Sequence, residues 1–163
     1  MTVPPRQATP ALLQIDAILS RLQGRQALAE VCRFLRSSFR HYRWVGVYRL
    51  EGATLVLDAW DGAQATEHTR IPLDRGVCGR AAREGRTVIV DDVRSDPGYL
   101  ACFLETRAEI VVPVRRDDRV LGEIDIDGET VAAYDASDER FLEAVADRIS
   151  GALERSASEP PPA

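Results

Sequence analysis

The stretch Glu109-Ile110-Val111-Val112-Pro113-Val114-Arg115-Arg116-Asp117-Asp118-Arg119-Val120-Leu121-Gly122-Glu123-Ile124-Asp125-Ile126-Asp127 reads as two strands joined by a charged turn. Side chains alternate across a strand. In the second strand Val120, Gly122, Ile124 and Ile126 therefore point one way, and Leu121, Glu123, Asp125 and Asp127 point the other. In the first strand Ile110, Val112 and Val114 share a face. Setting Val114 opposite Val120 places Val112 against Gly122 and Ile110 against Ile124, which keeps the apolar face whole. The same register puts Glu109 opposite Asp125, with Asp127 diagonal. A slip of one residue mixes the faces. Glu109, Asp125 and Asp127 are thus expected side by side on an antiparallel hairpin.

Like charges opposed in a sheet destabilise it, so such a cluster raises the pKa of at least one member. A carboxyl kept neutral can donate to a substrate oxygen, while an ionised neighbour holds an ammonium group. The same spacing also fits a strand face bathed in water. Three carboxylates on strands, without a ligand loop, make a poor hard-cation site. No metal is expected.

Outward from the hairpin the chain alternates helical and extended patterns. Residues 1–9 read as a disordered lead. Pro10 is placed to open a first helix with Leu12, Ile15, Leu19 and Leu22 on its stripe, ended by Gly24. A second helix runs from about Gln26 to Phe39. Strands follow at Trp44 to Leu50, Thr54 to Trp60 and His68 to Leu73. Gly76-Val77-Cys78-Gly79 leads into a short helix over Arg80 to Glu84, and Thr87 to Val90 is a brief strand. Ser137 is the expected N-cap of a last helix carrying Phe141, Leu142, Val145, Ile149 and Leu153. Residues 156–163 read as a flexible Pro-rich tail. The order gives one α+β domain over 10–155, an antiparallel sheet flanked by helices.

Composition narrows the function. The 163 residues carry 21 basic and 26 acidic side chains, a net charge of −5. That opposes sequence-independent nucleic-acid binding, which needs a basic surface. No apolar run reaches the length of a membrane span, and the polar start does not read as a secretory signal. A cytoplasmic protein with reduced thiols is expected. Three cysteines and two histidines, with no CxxC, are too few for a structural zinc site. His41 and His68 read as ordinary surface or core residues. No phosphate loop or dinucleotide fingerprint appears, so no cofactor is expected.

The cysteines differ in setting. Cys32 lies on the apolar stripe of the second helix and reads as an inert core thiol. Cys78, in a Gly-flanked turn, reads either as a thiol activated by a helix N-terminus or as a small residue that a tight turn needs. Cys102 follows Pro97-Gly98-Tyr99-Leu100-Ala101 in a loop seven residues before Glu109, so both can line one pocket. Trp44 and Tyr48, four apart on a strand, share a face. They form part of the core or an aromatic wall for a ligand.

Taken together, Gly76-Val77-Cys78-Gly79, Pro97-Gly98-Tyr99-Leu100-Ala101-Cys102, Glu109-Ile110-Val111-Val112-Pro113 and Ile124-Asp125-Ile126-Asp127 resemble the free methionine-(R)-sulfoxide reductases, which are GAF-domain enzymes. Trp44-Val45-Gly46-Val47-Tyr48 and the segment Tyr134 to Leu142 are similar too. The resemblance spans roughly Arg43 to Leu153. It implies a six-stranded antiparallel sheet and often a homodimer. It implies Cys102 as nucleophile, with Glu109, Asp125, Asp127, Trp44 and Tyr48 holding free methionine sulfoxide. Attack on sulfur releases methionine and leaves a Cys102 sulfenic acid, which a second thiol converts to a disulfide for a thioredoxin-like reductant. Cys78 is the internal candidate for that second thiol.

The sequence departs from the family in places. His68 stands where the family has a further recycling cysteine. Tyr99 and Phe103 replace a His and an Asp of the family loop, and Ala108 replaces a Ser. A competing expectation is a GAF domain that binds a small ligand or senses redox state without turnover.

Overall fold

The computed structural model describes residues 3–101 and 103–162. Three long helices pack on one face of a six-stranded sheet, with a short helix on the opposite face. The elements are α1 (Pro5–Arg21), α2 (Gly24–Ser38), β1 (Trp44–Glu51), β2 (Thr54–Gly62), β3 (Arg70–Pro72), α3 (Gly76–Glu84), β4 (Val88–Val90), β5 (Ala108–Arg116), β6 (Arg119–Gly128) and α4 (Ala136–Ser156). The strand order is β3-β2-β1-β6-β5-β4, with every pair antiparallel. This is the α+β architecture that the hairpin and helix patterns imply.

Each face of the sheet builds its own core. On one side Val45, Val47, Ile110, Val112, Ile124 and Ile126 pack under α1, α2 and α4. On the other, Trp44, Tyr48 and Val111 pack with Val77, Cys78, Ala81 and Ala82 of α3. Residues of one strand thus divide between two cores by parity alone. Cys32 lies fully buried in the first core, as expected, and burial pushes its thiol pKa up.

Several boundaries differ from the sequence reading. The first helix opens at Pro5, not Pro10, so residues 5–9 are helical rather than a loose lead. Pro5 sits in the first turn, where its missing N–H is harmless, and Pro10 lies within the helix. Val3 is buried and its N–H donates to Ser137 Oγ at 3.0 Å, which ties the start of the chain to α4. The tail is tied down as well. The Arg25 guanidinium bonds Asp58 at 3.1 Å and the Pro160 carbonyl at 2.6 Å.

The N-cap of α4 is Asp135, not Ser137. Asp135 Oδ1 accepts from the Ser137 and Asp138 N–H groups, and Asp138 Oδ2 accepts from the Asp135 N–H at 3.0 Å. An aspartate here also places negative charge at the positive end of the helix. Asp138 Oδ1 then bonds His41 Nε2 at 2.7 Å and the Tyr42 hydroxyl at 2.8 Å, all buried. Asp138→Ala removes one side of the cap and leaves His41 and Tyr42 without their buried acceptor. A loss of about 2–4 kcal/mol is expected, read from the denaturant midpoint.

Hairpin pairing also differs from the expected register. Val114 faces Gly122, Val112 faces Ile124, Ile110 faces Ile126 and Glu109 faces Asp127. The shift is two residues, so the faces keep their members from Gly122 to Asp127, whereas Leu121, expected on the acid face, packs against the first core. Its cause is local. A bulge lies between Val114 and Arg115, and a tight turn brings Arg116 opposite Arg119, with Asp117 at φ 55°.

Candidate functional site

The second face of β6 carries a row of three acids, Glu123, Asp125 and Asp127, each no more than 2% exposed. Glu109 on β5, 3% exposed, stands directly opposite Asp127. On the other side, β1 sets Trp44 opposite Asp127, Gly46 opposite Asp125 and Tyr48 opposite Glu123. The sheet therefore gathers Glu109, Asp125, Asp127, Trp44 and Tyr48, all five named from the sequence. It adds Glu123, which belongs to the same alternating row but was not singled out. A solvated strand face is ruled out by the burial.

The aromatic wall follows from glycine. A Cβ on Gly46 would fall 2.4 Å from the Trp44 ring, and one on Gly62 would fall 2.2 Å from it. The indole therefore lies against the sheet backbone over two positions that must lack side chains. It stacks on Trp60 at 6.2 Å and 12°, and Phe103 closes on it at 6.0 Å. Trp44 Nε1 has no hydrogen-bond partner among the described residues. Tyr48 donates its hydroxyl to the His68 carbonyl at 2.7 Å, and His68 Nε2 meets the Ala101 carbonyl at 2.8 Å. His68 is thus not a bystander: it bridges the segment before β3 to the loop before β5. Nothing in its sequence spacing signals that contact.

Cys78 is brought into the same cluster. Gly76 takes φ 67° and α3 begins there, with Gly79 so close to the Leu73 carbonyl that a Cβ would lie 2.6 Å from it. This close approach seats Cys78 over the acids. Its Sγ lies 4.0 Å from Glu109 Oε1, and one ligand atom each from Cys78, Glu109 and Asp125 lie within 4.8 Å of one another. That spacing admits a cation, but burial raises the pKa of all three groups and so disfavours the charged forms that would hold one. The trio is better described as a proton-sharing cluster.

Electrostatics agree with that description. Glu109, Glu123 and Asp127 are raised well above the usual carboxyl range, first by burial and then by neighbouring acids such as Asp125. Asp125 is also raised by burial, and the neighbouring Glu109, Cys78 and His68 side chains offset part of that rise. It is the member best placed to carry charge. The activated reading of Cys78 is not what the fold provides. Burial, then Asp125, Glu123 and Glu109, pushes its thiol well up, and this outweighs the short helix.

Both oxygens of Glu123 and Asp125, and Oδ1 of Asp127, lack hydrogen-bond partners among the described residues. Thr106 Oγ1 reaches Asp127 Oδ2 at 3.5 Å. A small cavity of about 40 Å³ opens beside Asp127, lined by Trp44, Phe103, Thr106 and Gly128 among others. Cys102, the expected nucleophile, lies outside the described residues.

A family model described as a GAF domain matches residues 24–154. The free methionine-R-sulfoxide reductase of Escherichia coli is 34% identical over 115 residues, covering 71% of this chain and 68% of that one. The solved free methionine-R-sulfoxide reductase of Neisseria meningitidis, in complex with its substrate, is 35% identical with a TM-score of 0.85, covering 94% and 92%. A putative GAF sensor protein of Burkholderia vietnamiensis is 28% identical with a TM-score of 0.82, covering 92% and 96%.

Proposed function

We propose, from the premise that the chain belongs to the GAF domain family and is related to the free methionine-R-sulfoxide reductases, that it reduces free methionine-(R)-sulfoxide to methionine. One observation carries the reading. Four buried carboxyls lie beside a thiol, and five of their oxygens are left without partners among the described residues. Buried polar groups are costly unless something satisfies them. A free amino acid brings an ammonium group for an ionised carboxylate and a sulfoxide oxygen for a protonated one.

In this mechanism Asp125 holds the ammonium group, with Glu109 and Asp127 sharing the remaining protons. A protonated cluster acid donates to the sulfoxide oxygen, which makes sulfur electrophilic. Trp44 and Tyr48 flank the apolar end of the substrate. Cys102 attacks sulfur, methionine leaves, and Cys102 holds the oxygen as a sulfenic acid. Cys78 condenses with it, forming the Cys78–Cys102 disulfide and water. An external dithiol of the thioredoxin kind then restores both thiols. The full balance is sulfoxide plus two thiols to methionine, disulfide and water.

Cys78→Ser separates the two halves. One methionine per chain is expected without reductant, and the thioredoxin-coupled rate falls at least about 10-fold. Unchanged multiple turnover in this variant would remove Cys78 from the cycle.

A further inference from the structure

We propose that Cys78, Glu109 and Asp125 form a binding site for one thiophilic divalent cation, with zinc(II) the ion that fits, and that the bound ion keeps a free amino acid off the acid face. The binding stands by itself, and the exclusion rests on the reading above. Three elements converge on the site: Cys78 comes from α3, Glu109 from β5 and Asp125 from β6. One ligand atom of each lies within 4.8 Å of the other two, and Cys78 Sγ is 4.0 Å from Glu109 Oε1. All three residues are buried. Among the described residues this is the one group of three His, Cys, Asp or Glu side chains with such spacing.

A second observation points to a ligand. Neither carboxyl oxygen of Asp125 has a hydrogen-bond partner among the described residues, although Asp125 is 1% exposed and its carboxyl belongs to the trio. Buried oxygens left open in this way are costly, and a bound ion satisfies them. The backbone fixes each ligand beforehand. Gly76, at φ 67°, opens α3, and Gly79 approaches the Leu73 carbonyl too closely for a side chain, which sets the place of Cys78. Glu109 is paired with Val90 and Asp127, and Asp125 with Val111 and Gly46. Ligands held on paired and packed elements cost little further ordering when the ion arrives.

Chemistry selects the ion. Tetrahedral zinc bonds of about 2.0–2.3 Å hold neighbouring ligand atoms roughly 3.3–3.8 Å apart. The trio stands slightly wider, a difference that side-chain rotation covers. Three protein ligands leave a fourth position for water. A thiolate among them favours zinc over hard ions. Calcium takes about 6–8 oxygens and magnesium keeps much of its octahedral water, and a closed site with one sulfur provides for neither. In the resting chain protons fill the place of the ion. Burial opposes bare anions, whereas a divalent ion neutralises two of the three charges its ligands acquire, and the displaced protons pass to solvent. The ion takes the position at Asp125 that the ammonium group of a substrate needs, so the two compete.

The test titrates the full chain, reduced and stripped of metal, with zinc chloride by calorimetry in the absence of substrate. Cobalt(II) chloride is the optical probe, because a cobalt–thiolate bond gives a near-ultraviolet charge-transfer band. Expected are one zinc ion per chain, release of protons on binding, the thiolate band with cobalt, and no binding of magnesium or calcium chloride. Cys78→Ser removes the band and weakens zinc on the order of 100-fold. Asp125→Asn, which relieves a buried acid and so keeps the fold, weakens zinc by about 10- to 100-fold with the band retained. Zinc bound at parent affinity by both variants overturns the site, and so does cobalt bound without the thiolate band or magnesium bound as tightly as zinc. A final arm adds methionine-(R)-sulfoxide and dithiol to the zinc-loaded chain: no methionine is expected until a chelator removes the ion, and unchanged turnover overturns the exclusion. A metal-free parent that forms no methionine overturns the reductase reading instead, and leaves the binding result standing.

Discussion

Cys102→Ser is expected to stop methionine release, by a factor on the order of 1,000 or more, with thermal unfolding unchanged. A hydroxyl is a far weaker nucleophile toward sulfur than a thiol. It also cannot form the sulfenic acid that carries the oxygen away. The acid cluster remains in place, because Glu109, Asp125 and Asp127 are fixed by strand pairing rather than by residue 102. Substrate binding should therefore survive in the variant, measurable by calorimetry with free methionine-(R)-sulfoxide. Release at the parent rate would show that another group attacks the sulfoxide.

Asp125→Asn is expected to produce effects of opposite sign on activity and stability. Turnover falls by about 100- to 10,000-fold, since the amide can neither hold an ammonium charge nor exchange protons with Glu109. Stability at pH 8 rises by about 1 kcal/mol or more, because a buried acid without a compensating cation is removed. Glu109, Glu123, Asp125 and Asp127 all bind protons more tightly folded than unfolded. Between the unfolded carboxyl pKa near ~4 and their raised values, the folded chain holds more protons, so stability is lost as pH rises. The parent's melting midpoint should therefore fall from pH 5 to pH 8, and the variant's should fall less. Asp92, Asp96 and Asp135 are shifted down by their hydrogen bonds, so they set the opposite limb, a loss below about pH 4. A parent midpoint rising from pH 5 to pH 8 would contradict the account of the cluster.

The faces of the hairpin were legible because parity is a property of the sequence itself. Apolar Ile110, Val112, Ile124 and Ile126 had to lie together, and Glu109, Asp125 and Asp127 followed onto the other side. The two-residue shift was not legible, since the bulge after Val114 and the left-handed Asp117 leave the alternation from Gly122 to Asp127 intact and alter it only at Leu121. Depth was hidden for the same reason. Alternation places Glu123 in the acidic row but does not show that the fold buries it completely. The Asp138 contacts with His41 and Tyr42 join positions 97 and 96 residues apart, and the His68 contact with Ala101 joins two loops. Such pairs exist only once the sheet order is known. The early start of α1 was missed because a proline-rich lead is ordinarily loose, whereas here Val3 is buried and bound to α4.

The most direct measurement is methionine release by the unmodified chain given free methionine-(R)-sulfoxide and dithiothreitol, with the S epimer and a peptide-bound sulfoxide in parallel. The account predicts repeated turnover of the free R epimer and little of the other two. Binding of the R epimer with no methionine formed would contradict it, and would make the acid-lined face a ligand-binding site without chemistry.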